Sequence, residues 1–148
     1  MEKNLRLPIQ FLPDNNRDFT FLKINFSELA VERLCLGFAL LKEKLVHNLN
    51  IKDEDNKFSL NVELLPKKRR AELTWHEAGA SLKLATNELD YCFMFFLRIF
   101  SDGKSEINHI DIECMLIEPR RTGYVTFIAP PSLFQPAKWK GDFGDETL

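Results

Sequence analysis

Alternation of apolar and polar residues recurs along this chain and constrains its fold more than any other feature. In "KFSLNVELL" (57–65), Phe58, Leu60, Val62 and Leu64 alternate with Ser59, Asn61 and Glu63. Ala71, Leu73 and Trp75 then alternate with Glu72, Thr74 and His76, and "INHIDIEC" (107–114) sets Ile110, Ile112 and Cys114 against His109, Asp111 and Glu113. A period of two is that of a strand with one face buried and one wet, because successive side chains leave the backbone on opposite sides.

The segments between these runs have other periods. Leu34, Phe38, Leu41, Leu45 and Leu49 recur at helical spacing, predicting a long first helix from Glu28 to Leu49, with Ser27 as its cap and Glu28 favouring its positive end. A second helix, "ELDYCFMFFLRIFS", is predicted from a cap at Asn87 to the stop at Asp102-Gly103. Its core stripe is read as Leu89, Cys92, Phe93, Phe96, Leu97 and Phe100. Tyr91, Met94, Phe95 and Ile99 make the other side apolar too, so this helix must be covered on more than one side or pair with a second copy as a homodimer.

Further strands are expected at 18–26, in "ASLKLA" around Leu82 and Leu84, and as a hairpin of 106–117 with 123–128 around "EPRRTG". Leu5 to Phe11 reads as an edge strand or an extended lead-in, because Pro8 would break a central ladder. "PDNNRD" and the acidic "KDEDNK" (52–57) read as loops, and "PKKRR" as a tip joining 58–64 to 71–76 in a hairpin that "ASLKLA" extends into a meander. No internal repeat is visible. The order predicts an α+β, two-layer domain over residues 1–129, a mainly antiparallel sheet with two helices packed on one face. The tail from 130 to 148, with Phe134, Trp139 and Phe143 among prolines and glycines, is expected to pack on it as an irregular strap.

A chain of 148 residues suits one such core, and thirteen phenylalanines supply its bulk. A net charge of −2 from 20 basic and 22 acidic residues argues against a surface tuned to nucleic-acid phosphate, and neither basic tip carries glycine-rich or aromatic recognition chemistry. The first ten residues lack the order of a signal peptide and no apolar run could span a bilayer, so a cytoplasmic protein without membrane contact is expected. Cys35, Cys92 and Cys114 are widely spaced, with no C-x-x-C pair, and read as buried apolar residues rather than disulfides or zinc ligands.

Candidate chemistry concentrates on one strand. His109, Asp111 and Glu113 share a face at steps of about 6.5 Å, too far apart for all three to hold one ion unaided. A metal-dependent hydrolase would need His76 or Glu72 to join them. "WHEAG" (75–79) is not the helical zinc-protease motif, because Ala80 stands where its second histidine belongs. There is no nucleophile elbow, phosphate loop or dinucleotide fingerprint. His47, at the predicted helix end, suits the negative helix terminus. The row therefore reads as a recognition surface, with no catalytic residue, cofactor or metal expected. Glu63 or Glu72 and the loop acids Asp53, Glu54 and Asp55 would add charge, His76 a polar neighbour, and Trp75, Tyr91 or Trp139 the aromatic anchors.

The run "ELDYCFMFFLRIFSDGKSEINHIDIE" joins an apolar helix, a glycine turn and a strand with an acidic, histidine-bearing row. In this it resembles the C-terminal half of small bacterial immunity proteins, which neutralise a co-produced toxin. That resemblance implies a complementary binding surface, a cognate toxin domain as protein partner, and no catalytic residue. The order of three strands, a helix and two strands is also similar to that of small acidic chaperones of secreted bacterial effectors, which dimerise through their second helix.

Overall fold

In a computed structural model, the structure describes residues 1–15, 20–65, 70–117 and 120–136. The basic tip at 66–69, the tip at 118–119 and the tail residues Trp139 and Phe143 lie outside the described residues. Nine strands form one sheet: β1 (Glu2–Leu7), β2 (Ile9–Asn15), β3 (Thr20–Phe26), β4 (Asn48–Asp53), β5 (Ser59–Leu64), β6 (Ala71–His76), β7 (Gly79–Leu84), β8 (His109–Ile117) and β9 (Arg120–Ile128). Helix α1 (Val31–Lys42) follows a short 3-10 turn after β3, and α2 (Thr86–Asp102) follows β7. The strand order across the sheet is β1-β4-β5-β7-β6-β8-β9-β3-β2.

The predicted two-layer α+β architecture holds. Its units are four antiparallel hairpins, β2/β3, β4/β5, β6/β7 and β8/β9, which include the two longest ladders. Parallel ladders join them. The first and last strands of this order, β1 and β2, are separated in sequence only by Pro8. They are two halves of one bent strand. Proline lacks the N–H that a continuous ladder needs, so the strand breaks there, pairing with β4 before the bend and with β3 after it. The sheet thus returns on itself, and Phe11 of β2 meets Phe58, just before β5, with ring centroids 4.7 Å apart.

An internal repeat, invisible in the sequence, emerges from the pairing. Each half is a hairpin, a helix and a second hairpin: β1/β2–β3–α1–β4–β5, then β6–β7–α2–β8–β9. Within each half the leading strand of the first hairpin lies parallel to the leading strand of the second, β1 with β4 and β6 with β8. The trailing strands cross between halves, β3 with β9 and β5 with β7. Neither half completes its sheet alone.

The helices cover the buried face. Phe38 of α1 stacks on Phe96 of α2 at 5.4 Å, and both rings meet the edge of Phe127 on β9 at 6.0 and 5.3 Å. Phe26 of β3 adds edge contacts to Phe95 and Phe96. Burying one phenylalanine contributes about 1.5–3 kcal/mol, and each favourable ring pair about 0.5–1.5 kcal/mol more. On the outer side Lys42 pairs with Asp90 at 2.8 Å, linking the two helices, and that hydrogen bond raises the lysine's pKa.

Several local expectations are corrected. The first helix ends at Lys42, and Lys44 adopts a left-handed conformation that turns the chain. Leu49 belongs to β4, where "NLNIKD" alternates Leu49 and Ile51 inward with Asn48, Asn50 and Lys52 outward; Leu45 is exposed. There is no meander, because β7 lies between β5 and β6. Ser27 makes no side-chain cap, and α2 starts at Thr86 with Glu88 accepting from the N–H of Ala85 at 2.9 Å. Its buried stripe is Leu89, Cys92, Phe95, Phe96 and Ile99, so Phe100 is exposed, and the predicted second apolar side shrinks to Tyr91 and Met94. The stop at Gly103, left-handed with φ 79°, is as expected. Among the described residues no helix is long and apolar enough to cross a membrane.

Candidate functional site: the outward face of the β8–β9 hairpin

Strand β8 carries His109, Asp111 and Glu113 outward and buries Ile110, Ile112, Cys114 and Leu116. Its antiparallel partner β9 places Tyr124 beside Glu113 and Thr126 beside Asp111. Next along the sheet, β3 sets Phe21 beside Tyr124 and Lys23 beside Thr126. At a strand spacing of about 4.8 Å these side chains form one contiguous patch.

The patch is chemically organised. Asp111 accepts a 2.6 Å hydrogen bond from Thr126 Oγ1 and faces His109 Nε2 at 3.4 Å, while His109 Nδ1 contacts Asn108 Oδ1 at 2.6 Å. Arg70, just before β6, pairs with Glu113. Lys23 sits over the Phe21 ring at 5.1 Å. The carboxylates are therefore ordered by their own neighbours rather than bare. In the middle stands Tyr124, 44% exposed, on a face that neither helix covers.

The other predicted residues are placed unevenly. Glu72, on the outward face of β6, lies beside Met115 of β8 and borders the patch. Trp75 projects from the opposite side of β6 and packs edge-on against Phe58 at 6.4 Å, as part of the core periphery rather than an outward anchor. His76 is exposed at the far end of β6, hydrogen-bonded to Ser81 Oγ at 2.6 Å. Asp53, Glu54 and Asp55 occupy the β4–β5 turn, where Asp53 Oδ1 accepts from the N–H of Lys57 and the Glu54 carbonyl accepts from Arg6 Nε. The strand order sets that turn on the order of 20 Å across the sheet from β8. Glu63 on β5 accepts from Asn61 Nδ2 at 3.0 Å, and Tyr91 is exposed on α2 in the other layer.

This geometry separates the residues of the hydrolase alternative. Register sets Ala71 beside Cys114 on parallel strands, so His76 and His109 run away from that pair in opposite directions. They end on the order of 30 Å apart, and no single ion can join them. Among the described residues no group of three or more histidine, cysteine, aspartate or glutamate side chains converges as a metal site. Burial raises the pKa of Cys35, of Cys92 and, to about 12, of Cys114, away from the thiolate form that a nucleophile uses.

No motif in the sequence marks Tyr124, Phe21, Lys23, Thr126 or Arg70. The alternation in "GYVTFI", with Val125 and Phe127 inward, carries Tyr124 outward and is its one local signal. The neighbours on β3 come from a long-range parallel ladder that no local pattern encodes. Comparison of the chain with protein-family models, curated proteins and solved structures finds no match.

Proposed function

We propose that the protein is a non-enzymatic binding domain that recognises a protein partner through the outward face of β8, β9 and β3. The observation that carries this reading is Tyr124, half-exposed beside Phe21 and ringed by Asp111, Glu113, Arg70, Lys23 and Thr126. An aromatic centre within a polar, charged rim is the anatomy of a protein interface, with the ring supplying affinity and the charges selecting the partner and speeding encounter.

The fold does not require carboxylates there. The equivalent outward positions at the start of the corresponding hairpin, on β4, are Asn48, Asn50 and Lys52, none of them acidic, so the acids of β8 are available for recognition. In line with the resemblance to immunity proteins, the partner is a toxin domain, neutralised in the cytoplasm by occlusion. Affinity capture from the native host followed by mass spectrometry tests this. The expected result is one stoichiometric partner with toxin activity that the protein suppresses; recovery of no specific partner contradicts it.

A further inference from the structure

Among the described residues ten large apolar side chains are exposed, and six of them gather on the helix layer instead of scattering over the surface. Leu29 stands on the 3-10 turn into α1, Leu36 on α1, Tyr91, Met94 and Phe100 on α2, and Ile107 on the segment leading into β8; they are between 42% and 81% exposed. The two helices run antiparallel, since Phe38 stacks on Phe96 while Lys42, one turn further along α1, pairs with Asp90, earlier in α2. The start of α1 therefore lies beside the end of α2, which brings Leu29 and Leu36 to the same end of the layer as Phe100 and Ile107.

The area of this surface can be set against what a stable dimer needs. Side chains of this class carry on the order of 200 Å² each, so at these exposures the six present roughly 650 Å². A standard interface takes about 800 Å² from each partner, and in homodimers about 65% of it is apolar, or roughly 520 Å². The helix layer meets that requirement by itself.

Its charges suit a copy of the same face. A twofold interface is self-complementary, because whatever contact one residue makes with a second on the partner, the second makes with the first. Between α2 and the 105–107 segment runs a groove of about 220 Å³, lined beside Tyr91 and Met94 by Arg98 and Glu106, one exposed cation and one exposed anion. Across a twofold axis Arg98 meets the partner's Glu106 and Glu106 meets the partner's Arg98, so one pair of positions supplies two ion pairs. Lys42 and Asp90 already neutralise each other within the chain, and bring no repulsion between copies. We propose that the helix layer is a dimerisation surface whose occupant is a second copy of this chain, with Leu36, Tyr91 and Met94 in its apolar centre and the Arg98–Glu106 pairs at its rim. The surface is separate from the recognition face, which lies on the side of the sheet that neither helix covers, so the dimer holds two β8–β9–β3 faces free.

Sedimentation velocity of the full chain tests this, over about 1 to 100 μM, a range that covers the weaker end of standard-size interfaces. The wild-type protein is expected at twice the mass of a single chain at the upper concentrations. Leu36→Asp and Met94→Asp, each at an exposed position, should each give a single chain throughout, with an unchanged circular dichroism spectrum. Arg98→Glu should weaken the dimer several-fold, and adding Glu106→Arg should restore it, a reversal that burial of apolar area alone would not produce. A single chain at every concentration of wild type overturns the proposal and leaves the layer to some other occupant. A dimer undiminished by both Leu36→Asp and Met94→Asp overturns it equally, by placing the contact elsewhere. Failure of the charge swap to restore the dimer overturns the twofold pairing of Arg98 with Glu106.

Discussion

At the residue scale, two of the four parallel seams, β5/β7 and β3/β9, rest on glycines. A Cβ on Gly79 would lie 2.1 Å from the Ser59 carbonyl oxygen across β5/β7, and one on Gly123 2.9 Å from the Thr20 carbonyl across β9/β3. These obstacles are backbone, which cannot swing aside as a side-chain end can. Gly79→Ala is expected to cost about 1–3 kcal/mol in urea unfolding; unchanged stability would show the seam to be looser than described. The buried thiols make a second prediction. In the unfolded chain Cys114 ionises near 9.0, whereas in the fold its pKa is about 12. Above about pH 9 the unfolded state therefore releases a proton that the folded state keeps, and stability falls with rising pH until the folded value is passed. Cys114→Ala should flatten the decline between about pH 9 and 11, each thiol contributing at most about 1.4 kcal/mol per pH unit. An unchanged slope would contradict the assigned burial.

At the scale of elements, strands with one wet face were legible because alternation is local. The 59–64, 71–76 and 109–117 strands follow it, and so does the outward row on β8. The error at 43–53 is equally physical. Leu45 and Leu49 extend the helical spacing of Leu34, Phe38 and Leu41 by coincidence, while the chain turns at Lys44 and buries Leu49 from a strand. A discriminating pair follows: Leu49→Ala is expected to cost about 2–5 kcal/mol and Leu45→Ala under about 0.5 kcal/mol in denaturant unfolding. Similar costs for the two would restore the long helix. The patch around Tyr124 was only half legible, since Asp111 and Glu113 declare themselves by alternation but Phe21 and Lys23 reach them through a ladder about a hundred residues away in sequence.

At the scale of the molecule, the two hairpin–helix–hairpin halves interlock through β3/β9 and β5/β7, and the phenylalanines of both helices share one cluster. Unfolding is expected as a single transition, coincident by circular dichroism and tryptophan fluorescence; two separated transitions would mean that the halves stand alone. Sequence comparison of the halves shows none of this, because the repeat lives in the pairing and the bend at Pro8 rather than in residue identity. The same architecture turns β8, β9 and β3 outward as one uncovered face, and the proposed function rests on that face. Its most direct test compares capture of the partner by wild-type protein, by the Asp111→Ala/Tyr124→Ala double variant and by Asp53→Ala at the remote β4–β5 turn. Loss of the partner from the double variant, with retention by Asp53→Ala and an unchanged fold by circular dichroism, is the predicted result. Undiminished capture by the double variant would contradict it.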